Sequence, residues 1–342
     1  MLAHRSLTGP ALNILIVRVS SLGDVVHNMP MVADIRRHFP HARIDWVVEE
    51  AYTDLVRLNG HVGTIIPIAL RRWRKSIWSA ATRAQIGAFH RQLRDQAYDL
   101  VLDTQGLLKT SIVMRMARLA PGGRRVGLAN ATEGSGYEPL SRIFHDQSIK
   151  VGLHTHAVQR ARLVAAGALG YSLDDAPDFA LQAPPAGALA WMPAQPYVVF
   201  FHGTARAAKQ WPQAHWIALG QALALRGLPV LLPWGNGRER QAAQALASAI
   251  PGAQVLPALP LMEAVSLVRQ ARLVVGLDTG LTHIAAAYGR PTVELYCDSP
   301  RWKTEGNWSE AVINLGDTGV APQVDQVQAA VARLLERAPG GA

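Results

Sequence analysis

The chain has 342 residues, 49% of them apolar, and a formal net charge of +9. That length is enough for two ordinary domains with separate cores, and the positive balance suits acidic partners: nucleic acid, an anionic membrane surface or a phosphorylated substrate. The single cysteine, Cys297, excludes a disulfide framework within the chain and fits a reducing compartment, and no apolar run reaches the roughly eighteen residues of a membrane-crossing helix.

The first half alternates apolar runs with helical spacing. A buried strand is expected over Leu12–Val19, then a helix in VVHNMPMVADIRRHF, a strand in RIDWVVEE, a strand in YDLVLDTQG and a helix in LLKTSIVMRMARLA. A Pro- and Ala-rich stretch, residues 176–196, breaks the rhythm and reads as an interdomain linker. The rhythm then restarts: strands in YVVFFHG, LPVLLPWG, RLVVGLD and PTVELYC; helices in AHWIALGQALALRG, RERQAAQALASAI, LMEAVSLVRQA, GLTHIAAAYG and VDQVQAAVARLLERA. Strand–helix alternation of this kind argues for parallel sheets covered on both faces, so the class is α/β with two similar halves.

Chemistry in such sheets collects at the carboxyl ends of the strands. Asp278 ends RLVVGLD, and Thr279, Gly280, Leu281 and His283 open the next helix. Free N–H groups and the helix dipole favour an anion there, which points to a pyrophosphate cradle. The alternative is an N-cap by Asp278 or Thr279 with His283 merely packed. Thr204 and Lys209 follow the first strand of the second half, where a lysine suits phosphate or stands as a surface charge. Glu239, after LPWG, could meet sugar hydroxyls or favour a helix start. In the first half, VRVSSLGD places Ser20, Ser21, Gly23 and Asp24 after a strand, without a dinucleotide or P-loop signature. Asp24 is a candidate general base or a cap. Arg71, Arg72, Arg74 and Lys75 cluster around Trp73, with Lys109 nearby. They suit an anionic acceptor, a nucleic acid or a solvated face. No His, Cys, Asp or Glu cluster has metal-ligand spacing, so no essential metal is expected.

Together, SSLGDVVHNMP, DWVVEEAY, LRRWRK, DTQGLLK, HAVQRAR, KQWPQAHW, LPWG and DTGLTHIAAAYGRPT resemble the ADP-heptose:lipopolysaccharide heptosyltransferases, from about residue 14 to 296. The resemblance implies a GT-B fold, two Rossmann-like domains with mostly parallel sheets facing a cleft. The acceptor-binding domain is expected over 1–180, a linker over 181–196 and the ADP-sugar domain over 197–342, with the final helix free to pack back on the first domain. It implies inverting transfer of L-glycero-D-manno-heptose from ADP-heptose to a Kdo of Kdo2-lipid A, in inner-core synthesis. The place would be the cytoplasmic face of the inner membrane, with peripheral contact to anionic lipid, no nucleic acid and no cofactor.

By the same resemblance Asp24 is the base. Thr204 and Lys209 contact donor phosphate and Glu239 the ribose, while Asp278, Thr279, Gly280, Leu281 and His283 form the heptose and pyrophosphate site. Arg71, Arg74, Lys75, Lys109 and Arg160 hold the acceptor. Ala205 stands where relatives often carry a second Thr. LRRWRK and DWVVEE favour the Kdo acceptor over a sister enzyme whose acceptor is a heptose. The rival from another class is a non-catalytic protein binding nucleic acid or anionic membrane.

Overall fold

The computed structural model describes residues 11–173, 175–185, 189 and 191–337. Two compact units divide between Gln182 and Ala183. In the first, β1 (Asn13–Val17) leads to α1 (Leu22–His38), β2 (Arg43–Glu49), α2 (Thr53–Arg57) and β3 (Ile65–Ile68). Then follow α3 (Leu70–Trp73), α4 (Ala80–Arg94), β4 (Tyr98–Asp103), α5 (Leu108–Met116), β5 (Leu119–Leu128), β6 (Gln147–Ile149) and α6 (Ala157–Leu169). The second unit runs β7 (Val198–Phe201), α7 (Gln213–Ala224), β8 (Val230–Leu232), α8 (Gly237–Ala249), β9 (Gln254–Val255) and α9 (Leu261–Gln270). It closes with β10 (Leu273–Leu277), α10 (Gly280–Ala287), β11 (Thr292–Tyr296), β12 (Val312–Gly316) and α11 (Val324–Arg337).

The first sheet has the order β3-β2-β1-β4-β5-β6 and the second β12-β11-β10-β7-β8-β9, the same winding twice, each with its first strand near the centre. All pairings between these strands are parallel. Central strands such as LIV of β1 and VVFF of β7 are buried throughout, as strands covered on both faces must be. A parallel sheet aligns all its strand ends, so the loops after β1, β3 and β4 share one edge, as do those after β7, β8 and β10.

The first strand is Asn13–Val17, shorter at both ends than the expected Leu12–Val19. Leu181, in the expected linker, bridges to Asn59, and the Gln182 N–H donates to the Leu58 carbonyl, so the start of that stretch is tied to the first unit. Residues 186–188 and 190 of the linker lie outside the described residues. The final helix belongs to the core of the second unit: α11 buries Val327, Ala330, Val331 and Leu334 there, beside Trp216, Leu219 and Leu223 of α7. Its apolar residues recur at three- and four-residue spacing, which gives one stripe and one partner surface.

Candidate active site

At the edge after β10, Asp278 is the centre of a buried ionic network. Its Oδ2 accepts from Lys209 Nζ at 2.5 Å and Ser299 Oγ at 2.7 Å. Its Oδ1 pairs with His283 Nε2 at 3.0 Å and accepts from Thr304 Oγ1 at 3.1 Å. The other imidazole nitrogen, Nδ1, lies 3.0 Å from Glu294 Oε1. Glu294 is wholly buried on β11, and its Oε2 accepts from Tyr296 Oη and the Gly306 N–H. An imidazole whose two nitrogens both face carboxylates donates from both, so His283 is an imidazolium. Burial alone would lower its pKa, but Glu294 and Asp278 push it up to about 10. Asp278 moves the other way: desolvation would raise it, but His283 and Lys209 hold it well below the usual carboxylate range.

The helix start behind this network is open. Thr279 occupies the N-cap position of α10, but its hydroxyl pairs with Thr282 Oγ1 at 3.2 Å and does not cap the helix. The N–H groups of Gly280 and Leu281 therefore keep the polarity that attracts an anion. His283 takes the packed position foreseen as the alternative, yet it is charged, and it acts on the site through Asp278.

Next to Lys209 lies a cavity of about 410 Å³ lined by His202, Gly203, Thr204, Trp211, Asn236 and Glu239 among others. Glu239 serves the helix start it was also read as: its Oε2 accepts from the Gly235 N–H at 2.7 Å and its Oε1 from Asn236 Nδ2 at 2.7 Å. Asn236 returns the contact by capping the Glu239 N–H. A Cβ on Gly203 would stand 2.6 Å from the Glu239 carboxyl carbon, so glycine there lets the carboxylate lie against the β7 strand end. Gly203→Ala is expected to push the Glu239 carboxylate off the Gly235 N–H, with thermal stability nearly unchanged; a crystal structure of the variant checks this.

In the first unit, Asp24 sits in the first turn of α1. Ser21, the N-cap, donates to Asp24 Oδ2 from its N–H at 3.0 Å and its hydroxyl at 2.8 Å, while Arg18 Nη2 lies 2.6 Å from Oδ1. The capping role foreseen as the alternative is thus realised. Desolvation would raise the Asp24 pKa, but Arg18 and then Ser21 outweigh it and hold the group well below the ordinary carboxylate range. Arg18 is buried, with Nη1 on the Thr104 carbonyl at 2.7 Å. Arg160, buried on α6, reaches Thr132 Oγ1 at 3.1 Å, and its pKa is brought down to about 10 by burial and then by Arg18, with Asp24 opposing.

The other basic residues follow β3 and β4. Arg71 on α3 packs over the Tyr52 ring at 6.0 Å and Arg72 pairs with Glu50 at 2.8 Å, whereas Arg74, Lys75 and Lys109 are exposed. The sequence reading missed Glu294, Ser299, Thr304, His202 and Arg18. The first three come from segments after Asp278, and only the fold brings them to it. Arg18 lies inside the apolar strand pattern, and a charge in such a run was the available signal. Among the described residues no group of three His, Cys, Asp or Glu side chains could hold a metal ion.

The glycosyltransferase family 9 (heptosyltransferase) model matches residues 86–331. Lipopolysaccharide heptosyltransferase 1 of Pseudomonas aeruginosa is 38% identical over 286 residues, 83% of this chain and 78% of the relative. The Escherichia coli K12 protein of the same name is 37% identical over 288 residues, 83% and 88% of the two chains. The solved E. coli heptosyltransferase WaaC with ADP superposes with a TM-score of 0.81 at 33% identity, over 95% of this chain and 99% of that one. WaaC with ADP-2-deoxy-2-fluoro heptose gives 0.75 over the same shares. The fold is of GT-B type, with a Rossmann-like sheet in each unit, and the rival reading as a non-catalytic binding protein falls away. The chain is a glycosyltransferase and belongs to glycosyltransferase family 9, the heptosyltransferase family.

Proposed function

We propose that the protein transfers L-glycero-D-manno-heptose from ADP-heptose to a Kdo residue of Kdo2-lipid A, with inversion, in lipopolysaccharide inner-core synthesis. The observation that carries this reading is the Lys209–Asp278–His283 network at an open helix start, beside the cavity walled by Gly203, Thr204 and Glu239. A cationic amine and unpaired N–H groups suit a diphosphate, and the adjoining cavity offers Glu239 to a ribose. Relatives solved with ADP and with a fluorinated ADP-heptose support the same donor.

In this reading Asp24 accepts the proton of a Kdo hydroxyl. The freed oxygen bonds to the anomeric carbon as the bond from that carbon to the diphosphate oxygen breaks on the opposite face. Lys209 and the N–H groups of Gly280 and Leu281 stabilise the negative charge gathering on ADP. Cationic side chains supply that charge compensation, and no metal or other cofactor takes part. Thr204 adds a hydroxyl to the phosphates, a backbone N–H serves in place of the side chain absent at Ala205, and Asp278 orients Lys209 and the heptose. Arg71, Arg74, Lys75, Lys109 and Arg160 take the anionic groups of the acceptor. No described helix is long and apolar enough to cross a membrane; the proposed location is the cytoplasmic face of the inner membrane, reached peripherally.

Release of ADP from ADP-heptose by the purified protein tests this. Release that requires Kdo2-lipid A is the expected result. Release only with an already heptosylated acceptor moves the assignment to second-heptose transfer, and no release with either acceptor overturns the reading.

A further inference from the structure

Among the described residues of the first unit, most large apolar side chains left in solvent lie on one helical layer. Trp78 is 86% exposed and Ile77 49%, both in the turn between α3 and α4. Ile143 is 73% and Leu140 65% exposed, on a 3₁₀ helix (Pro139–Phe144), and Ile112 on α5 is 47% exposed. Trp73, Phe89, Val113 and Phe144 share one core, so α3, α4, α5 and the 3₁₀ helix cover the same face of the sheet. Glu138 ties that 3₁₀ helix to the start of α5, its Oε2 accepting the Leu108 N–H at 2.5 Å.

Single exposed apolar residues are ordinary, whereas several on one layer mark a contact surface. Charge names the partner. Residues 70–94 hold seven Arg and Lys and no Asp or Glu. Arg72 is taken by Glu50, but Arg74, Lys75 and Arg83 are exposed within about five residues of Trp78 in sequence, Arg83 donating to the Trp78 carbonyl. Cations flanking a tryptophan and aliphatic side chains fit the interface of an anionic bilayer, where rings sit at headgroup depth and cations pair with phosphate. A nucleic acid would use the cations but offers nothing to Ile77, Leu140 and Ile143.

We infer that this layer is a membrane-docking surface, with Ile77, Trp78, Leu140 and Ile143 entering the bilayer interface, Arg83 meeting anionic headgroups, and Arg74, Lys75 and Lys109 left to the acceptor's own anionic groups beside them. The inference rests on the proposed function in one respect, that the acceptor is a lipid. The loops after β3 and β4 share the sheet edge with Asp24, so docking here presents that edge to a lipid-borne sugar.

The test is co-sedimentation of the full chain with vesicles of phosphatidylglycerol and phosphatidylethanolamine, against pure phosphatidylcholine. The wild type is expected to bind the anionic vesicles, to retain part of that binding in high salt, and to have Trp78 quenched by brominated acyl chains, read against Trp78→Phe. The double variant Trp78→Ser, Ile143→Ser is expected to bind at least about tenfold more weakly. Its turnover on a soluble, de-acylated Kdo acceptor should match the wild type, which shows that it is folded. Equal vesicle binding by wild type and double variant overturns the inference. So does wild-type binding that salt abolishes without quenching, or that duplex DNA displaces. Loss of soluble-acceptor turnover in the wild type itself counts against the proposed reaction and leaves the vesicle result to judge the surface.

Discussion

Asp24→Asn is expected to lower kcat by about a thousandfold, within the range that a positioned general base supplies, while the affinity for ADP stays at the wild-type value. The second half follows from geometry: Asp24 lies in the first unit, and every group assigned to ADP lies in the second. Arg18 and Ser21 keep the Asp24 carboxylate ionised through the whole neutral and mildly acid range. A carboxylate so well stabilised is a weak base, so under the proposed mechanism the sugar proton moves late, as the new carbon–oxygen bond forms. The pH profile should reflect this. Because the folded-state pKa is depressed, no carboxylate limb from Asp24 should appear in kcat/KM above the ordinary aspartate value of 3.8. The stability that the Arg18 pair contributes is present above that pH and is lost only as pH falls towards the depressed value. Stopped ADP-release assays across pH, with calorimetry of ADP binding to both proteins, give the two halves of the prediction. Activity surviving in Asp24→Asn would remove Asp24 from the role of base.

The second large effect is expected at Glu294. Glu294→Gln removes one of the two carboxylates that hold the buried His283 imidazolium, which should cost about 3–5 kcal/mol of stability near neutral pH, as breaking a buried ion pair does. The sign of the pH dependence is fixed by the direction of the shift. His283 has its pKa raised on folding, so its contribution is complete below the ordinary histidine value of 6.5 and is lost as pH climbs through about 10. Wild-type stability should decline over that window, and the Glu294→Gln variant should show a shallower decline from a lower starting point. Imidazole NMR reads the same change at the site: His283 stays protonated at pH 8 in the wild type and becomes neutral there in the variant. With a neutral His283, Asp278 loses one of its cationic partners and Lys209 its fixed seat, so affinity for ADP should fall by about tenfold. An unchanged His283 signal in Glu294→Gln would show that Asp278 alone sustains the imidazolium.

Much of the fold is legible in the sequence because a doubly covered strand has to be a continuous apolar run. β1, β7, β8 and β10 announce themselves that way, and β2, β4 and β11 do so with one carboxylate inside the run. The elements that escape do so for local reasons. β3 is four residues long and contains Pro67, β5 carries Pro121, Gly122 and Gly123, and α4 has an Arg- and Ala-rich exposed side that dilutes its period. The candidate site residues at strand ends are legible on the same principle, since Asp24, Thr204, Glu239 and Asp278 each follow an apolar run by a few positions. Their partners were not. Glu294 lies in the middle of the strand VELY, where a carboxylate reads as an interruption of the pattern, and only the β10–β11 pairing brings it under His283. Lys209 is legible as a candidate phosphate ligand, but its grip on Asp278, 69 positions away, is a product of the fold.

The position of α11 bears on how the protein is made. Its inner stripe completes the core beneath α7, so the second unit lacks one wall until Leu334 has been synthesised. The first unit draws all its strands from residues before 150 and can close while translation continues. The second must wait for the ribosome to deliver its final turns, and during that interval the face formed by Trp216, Leu219 and Leu223 is the apolar surface a chaperone would meet. A nascent chain arrested before residue 324 should therefore carry a protease-resistant first half joined to a protease-sensitive second.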